Sequence, residues 1–99
     1  MLDTLTTETF TPRIGEAFRV ALDDDRGIGL TLSEVTPLAG ATAGRPRTPF
    51  SLLFHAPATD PVLEQAIYNV TNENLPALDI FLVPLGTDQV GMRYEAIFT

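Results

Sequence analysis

His55 is the only imidazole in a chain that has no Cys and no Lys, so most catalytic chemistry would have to depend on it. A histidine general base needs an orienting carboxylate and a nucleophile beside it. The nearest hydroxyl on its own strand face belongs to Ser51, about 13 Å away along an extended chain. We therefore expect His55 to be a solvent-facing strand residue that points away from the side of Phe54. The prediction is that the protein has no catalytic residue and is not an enzyme.

Carboxylates suggest two metal sites, and neither has a complete pattern. Asp residues 23–25 resemble the start of a calcium loop, but the sixth position holds Ile28 where the loop needs Gly. We interpret them as a solvated hairpin tip that discourages pairing at a sheet edge. Glu34, His55 and Glu95 would meet only if their strands were adjacent and shared a face, and no short spacing ties them together. We predict neither a metal nor a cofactor.

The charge balance is strongly acidic. Thirteen acidic residues stand against six Arg, which gives a net charge of -7 and a pI of about 4.3. Such a surface repels phosphate backbones and anionic lipid headgroups, so nucleic acid is not an expected partner. The absence of Cys and Lys excludes thiolate nucleophiles, disulfides and Schiff-base chemistry.

The hydropathy pattern contains no membrane segment. No stretch approaches the roughly 20 apolar residues that a membrane-spanning helix needs. The first residues lack a basic region before an apolar core, so no secretory signal is expected. The default expectation is a cytoplasmic protein, although release by a signal-independent route would leave the same sequence.

Apolar and polar residues alternate with a period of two in six segments, which predicts six strands. The segments are residues 16–22, 28–33, 50–55, 65–70, 78–83 and 92–98. Short connections and the lack of a crossover helix favour antiparallel neighbours. Residues 6–15 predict a short helix or turn whose Phe10 and Ile14 cover one open end. Residues 1–99 should thus form a single all-β domain, a small six-stranded antiparallel barrel or sandwich with a short N-terminal helix or turn.

Two regions are candidates for contact with another protein. Residues 36–48 are rich in Pro and Gly and predict a long exposed loop, in which Arg45 and Arg47 could each bind a carboxylate of another chain. In the fifth strand, Phe81 and Val83 make the second face apolar as well. They indicate either a central position in the sheet or a face held against a partner. The candidate interface is therefore Arg45, Arg47, Phe81 and Val83, with a protein partner or a homo-oligomer expected.

Several segments resemble a family of small bacterial domains of unknown function, and the resemblance covers nearly the whole chain. The similar segments are residues 47–54, 63–68, 80–86 and 94–98, together with Phe10, Gly15, Phe18 and Val20. Ala66 departs from the Gly more usual in that family. The resemblance implies that the genes lie beside those of phage-tail-collar-like proteins, and hence a role in a fibre or tail-like assembly.

The leading hypothesis is a non-enzymatic structural or protein-interaction module, as a subunit or accessory of a phage-tail-collar-like fibre assembly. The alternative is a small-ligand-binding β-barrel, because a closed barrel can hold one apolar molecule. The aromatic residues available to line its pocket are Phe50, Phe54, Tyr68, Phe81 and Tyr94. A hydrolase that uses His55 as its base is the third hypothesis.

Overall fold

Burial alternates residue by residue along most of the chain, and this alternation produces six strands. The computed structural model of the protein describes residues 5–22, 27–38 and 49–98. Its elements are, in chain order, helix α1 (Thr7–Phe10), a 3₁₀ turn (Thr11–Arg13), β1 (Ala17–Ala21), β2 (Gly27–Pro37), β3 (Phe50–Ala56), β4 (Ala66–Asn72), β5 (Leu75–Thr87) and β6 (Met92–Phe98). All six predicted strands are confirmed.

The strands form a closed antiparallel barrel in the order β1-β2-β3-β6-β5-β4. Two three-stranded meanders, β1 to β3 and β4 to β6, meet along two seams. The β3–β6 seam is long, with seven residue pairs. The β1–β4 seam that completes the barrel has only two pairs, Arg19 with Thr71 and Val20 with Val70. Closure gives every strand a neighbour on both sides, although β4 pairs with β1 only at Val70 and Thr71. Of the two predicted architectures, the structure is therefore the barrel and not the sandwich.

Aromatic side chains fill the interior. Phe50 and Phe98 stack with ring centroids 4.9 Å apart, and Phe10 lies against both at 5.9 and 5.6 Å. Among the described residues, nineteen apolar side chains are buried in one continuous cluster. A six-stranded barrel is narrow enough for such side chains to fill it. The interior is a packed core.

The N-terminal helix caps one end of the barrel, as predicted. Its first turn is fixed by the backbone N–H of Thr6, which donates to the Thr9 hydroxyl at 3.1 Å. Phe10 is completely buried, but Ile14 is 46% exposed, so the prediction that Ile14 also covers the end is wrong. Gly15 ends the segment with a φ of +91°, which favours glycine. Of the helices in residues 5–22, 27–38 and 49–98, none is long and apolar enough to cross a membrane.

β2 is longer than the alternation predicts because it contains a bulge. The register against β3 shifts between Leu32 and Glu34, so one extra residue is inserted at Ser33. After the bulge the opposite parity faces inward, and Val35 packs against the core. The strand continues to Pro37, which pairs with Phe50. The predicted loop therefore begins later than residue 36.

β5 is also longer than predicted, and it tolerates two prolines. Pro76 lies where the register against β4 is irregular, so its missing N–H removes no regular ladder bond. Pro84 lies at a second irregularity, against β6, beside Gly86 with a φ of +94°. Positive φ at Gly is typical of such bulges. The prolines therefore mark bends in the strand and not its ends.

Two predicted features lie outside the described residues. The acidic tip at residues 23–25 is one of them. The other is most of the loop predicted at residues 36–48, including Arg45 and Arg47.

Gly91 is the glycine that close packing most clearly requires. It is buried directly before β6, and a Cβ built there would overlap the carbonyl oxygen of Ala56. We expect Gly91→Ala to lower the free energy of unfolding by about 1–3 kcal/mol, as overpacking does, measured by urea and thermal unfolding. The control is Gly29→Ala, where a Cβ has no neighbour within 4 Å, and its stability should be unchanged or slightly higher. Equal effects of the two substitutions would contradict this account.

Candidate functional site

His55 lies on the outer wall of the barrel at the centre of a hydrogen-bonded array. On β3 it is paired in register with Thr31 of β2 and with Arg93 of β6. Its side chain is only 10% exposed. The prediction of an outward-pointing residue is correct, but the prediction that it faces solvent is wrong. Neighbouring side chains cover the ring.

Two side chains that sequence reasoning missed bind the two ring nitrogens. The Ser33 Oγ lies 2.5 Å from Nδ1, and the Asp88 Oδ2 lies 2.9 Å from Nε2. A carboxylate only accepts hydrogen bonds, so in the neutral ring Nε2 donates to Asp88 and Nδ1 accepts the Ser33 proton; this tautomer is assigned from the partners. Ser33 reaches His55 from the β2 bulge. Ser51, the hydroxyl considered first, instead pairs with Ile97 and Thr36.

Asp88 is held in place by the turn that it begins. Its Oδ1 accepts the backbone N–H groups of Val90 at 2.8 Å and Gly91 at 3.0 Å. The hydrogen bond from His55, followed by that from Gly91, lowers the pKa of the Asp88 carboxyl to about 2. All of these donors favour the charged form. The carboxylate is therefore fixed in orientation and ionised at neutral pH.

The array of Ser33, His55 and Asp88 has the components of a serine nucleophile with its base and orienting acid. Acyl transfer also needs a cleft for the substrate and donors for the oxyanion. Two grooves are described on the surface, of about 570 Å³ at the β1–β4 seam and about 450 Å³ near Tyr68, and their linings contain neither Ser33 nor His55. The array does join three elements, namely β2, β3 and the β5–β6 turn. We call Ser33, His55 and Asp88 the clamp, because their hydrogen bonds hold these three elements together.

The three side chains considered as metal ligands, Glu34, His55 and Glu95, lie on one face of adjacent strands. Glu34 pairs with Leu53, and Leu53 pairs with Glu95, so the three strands are adjacent as the hypothesis required. His55, however, already uses both ring nitrogens for Ser33 and Asp88. No group of three His, Asp or Glu side chains in the described parts of the chain is arranged to hold a metal ion.

The candidate interface residues of β5 belong to an exposed apolar row. Phe81 pairs with Ile67 of β4, and the two side chains are 47% and 67% exposed. Val83 is half-buried and pairs with Glu95 of β6. Ile97, 56% exposed, lies two residues beyond Glu95 on the same outer face and toward the same end as Phe81. We call Ile67, Phe81, Val83 and Ile97 the apolar face.

A polar cluster at the β1–β4 seam helps to close the barrel. Asn72 is buried, and its amide donates to Glu16 Oε1 at 3.1 Å and to the carbonyl of Ala17 at 3.0 Å. The amide of Asn74 donates to the same Glu16 oxygen at 3.0 Å and, with Asn72 and Arg13, lowers the Glu16 pKa. These groups satisfy one another across the seam, so we assign them to stability.

The sequence of the chain matches one family model. A model of a domain of unknown function, DUF6916, matches residues 5–98. The chain belongs to the DUF6916 family. The predicted resemblance to a family of small domains of unknown function is thus confirmed, whereas the bacterial origin and the phage-tail-collar setting stay predictions. No curated protein and no solved structure is similar enough to be a match.

The depressed pKa of Asp88 makes the clamp sensitive to acid. In the folded domain this carboxyl has a pKa of about 2 against its ordinary 3.8, so it stabilises the fold fully above about pH 4 and loses this effect as the pH falls through 2. We expect Asp88→Asn to lower the urea midpoint at neutral pH, with the difference from wild type shrinking between pH 4 and 2. Asp60→Asn is the control, because the Asp60 side chain makes no hydrogen bond within the described residues. A difference that is constant with pH would contradict this assignment.

Proposed function

We propose that this DUF6916 domain is a non-enzymatic protein-interaction module that binds its partner through the apolar face. The supporting observation is the pairing of Phe81 with Ile67 across β4 and β5, with both side chains about half or more exposed. Single exposed apolar residues are ordinary, but a contiguous group marks an interaction surface. The candidate residues Phe81 and Val83 therefore keep their proposed role.

The central-strand explanation does not account for these residues. In a closed barrel every strand has two neighbours, so a central position is common to all six and does not bury the outer face. The core is also complete without them, because the inward side chains of β5, such as Ile80 and Leu82, already fill it. An apolar outer face that the fold does not need is explained by a partner.

The family resemblance supports a role for this domain as a subunit or accessory of a phage-tail-collar-like fibre assembly, because it implies that the genes lie beside those of phage-tail-collar-like proteins. The partner is then another protein or further copies of this domain. The net charge of -7 supports the proposal that nucleic acid is not bound, and we keep the cytoplasm as the default location before any release.

The small-ligand alternative keeps one supporting observation, because Tyr68 lines the described groove of about 450 Å³. Of the aromatic residues proposed to line a pocket, Phe50, Phe54 and Tyr94 are buried in the packed core, and Phe81 points outward. The Tyr94 hydroxyl accepts the backbone N–H of Leu63 at 2.8 Å, which further occupies the interior. Both described grooves lie on the outer surface.

A second candidate function, hydrolysis by Ser33, is favoured by the array with His55 and Asp88. A fluorophosphonate probe tests it, because an activated Ser33 Oγ would bond to phosphorus as fluoride leaves and His55 takes the proton. We expect no labelling of wild-type protein by intact-mass spectrometry, with a known serine hydrolase as the positive control. Labelling that disappears in both Ser33→Ala and His55→Ala would overturn the non-enzymatic proposal.

Disruption of the apolar face tests the main proposal. We expect the double variant Ile67→Ser, Phe81→Ser to remain folded and to lose binding, by tenfold or more, which is about 1.4 kcal/mol. Size-exclusion chromatography with light scattering measures this, on the domain alone and with the products of neighbouring genes. Val62→Ser is the matched control, because Val62 is 60% exposed and lies outside the apolar face. A strict monomer that engages none of these proteins would contradict the proposal.

A further inference from the structure

Carboxylates and apolar side chains alternate along one row of the outer wall. Ladder pairs connect Val83 of β5 to Glu95 of β6, Glu95 to Leu53 of β3, and Leu53 to Glu34 of β2. Neighbouring strands lie about 4.8 Å apart, so the two acidic residues are about 10 Å apart, with Leu53 between them. This row adjoins the apolar face, because it includes Val83. Glu95 thus borders the surface proposed to bind a partner, and Glu34 lies two strands further along the same row.

Neither carboxylate has a cation within the described residues. Arg93, two residues from Glu95 on β6, donates instead to the carbonyl oxygens of Leu85 at 3.1 Å and Gly86 at 3.3 Å. The other described arginines are committed elsewhere. Arg13 pairs with Glu16 at 3.6 Å, and the Arg19 guanidinium lies over Gly27. Within residues 5–22, 27–38 and 49–98, Glu95 and Glu34 are therefore carboxylates with no cation paired to them.

Resting on the proposed function, we infer that the partner is a different protein whose contact surface is both basic and apolar. Glu95 is half-buried between Val83 and Leu53, so a docked partner would remove it from much of its remaining water. Desolvation of an unpaired carboxylate opposes binding, whereas a partner Arg or Lys placed over it offsets that cost. The partner places such cations over Glu95 and Glu34, and aliphatic or aromatic side chains over Phe81 and Ile67.

A second copy of this domain fits the surface poorly. A two-fold contact through the same face brings each apolar face, with its two carboxylates, against an identical one. Like charges in such a contact are repulsive, and the net charge of -7 on each copy adds to the repulsion. Charge complementarity therefore favours a distinct, basic partner.

A random-peptide display library, selected against the full domain and counter-selected with the Ile67→Ser, Phe81→Ser variant, tests the inference. We expect enriched peptides that combine Arg or Lys with apolar residues. The synthesised peptides should lose about tenfold in affinity, or about 1.4 kcal/mol, when the domain carries Glu34→Gln and Glu95→Gln. Their binding should also weaken with salt.

A charge-matched variant separates the site from the general acidity of the chain. Glu8→Gln with Glu73→Gln removes two charges at exposed positions on α1 and in the β4–β5 turn, and should leave the affinity within about twofold. Equal losses from both double variants would overturn the inference. Peptides that need Phe81 but are insensitive to Glu34 and Glu95 would also overturn it, while leaving the proposed function intact. Failure to recover any peptide that depends on Phe81 would count against both. Dimerisation through the apolar face would overturn this inference alone, because the proposed function also accepts a second copy as the partner.

Discussion

Closure of six strands around one packed core is the constraint on which the rest of this structure depends. Once β1 pairs with β4, every strand has an inner and an outer face, and the inner faces must fill a narrow interior. The Phe10, Phe50 and Phe98 cluster occupies one end of that interior. The buried apolar cluster fills these inner faces, and Ile67 and Phe81 are exposed apolar residues that this core does not use.

A small barrel also requires its strands to bend, and this one bends at bulges. Register shifts occur in β2 at Ser33, in β5 near Pro84 and between Val70 and Asn72 in β4. Bulges increase the local twist and redirect the side chains beside them. The β2 bulge brings the Ser33 hydroxyl to His55. The array of Ser33, His55 and Asp88 thus arises where the barrel bends, and its hydrogen bonds join the β2 bulge to the β5–β6 turn.

The sequence predicts the fold well because alternation is a local property. Each strand core could be recognised from residues two apart, and Phe10 could be assigned to the end of the barrel. Contacts between distant strands were not predictable in the same way. Asp88 lies 33 residues from His55, and nothing in the spacing connects them. One signal was present, since the apolar series through Leu30 and Leu32 resumes at Val35 and not at residue 34. That slip of parity marks the Ser33 bulge.

The bulge at Ser33 links the clamp to the candidate interface, because it determines which residues after Leu32 face outward. If β2 contained Ser33 but no bulge, regular alternation after Leu32 would turn Glu34 toward the core and Val35 toward solvent. Burial of an unpaired carboxylate among aromatic side chains is far more costly than a bulge. The bond between Ser33 and His55 holds the bulge in place, so it keeps Glu34 on the outer wall. His55 thus supports the outward position of the Glu34 carboxylate through its hydrogen bond to Ser33.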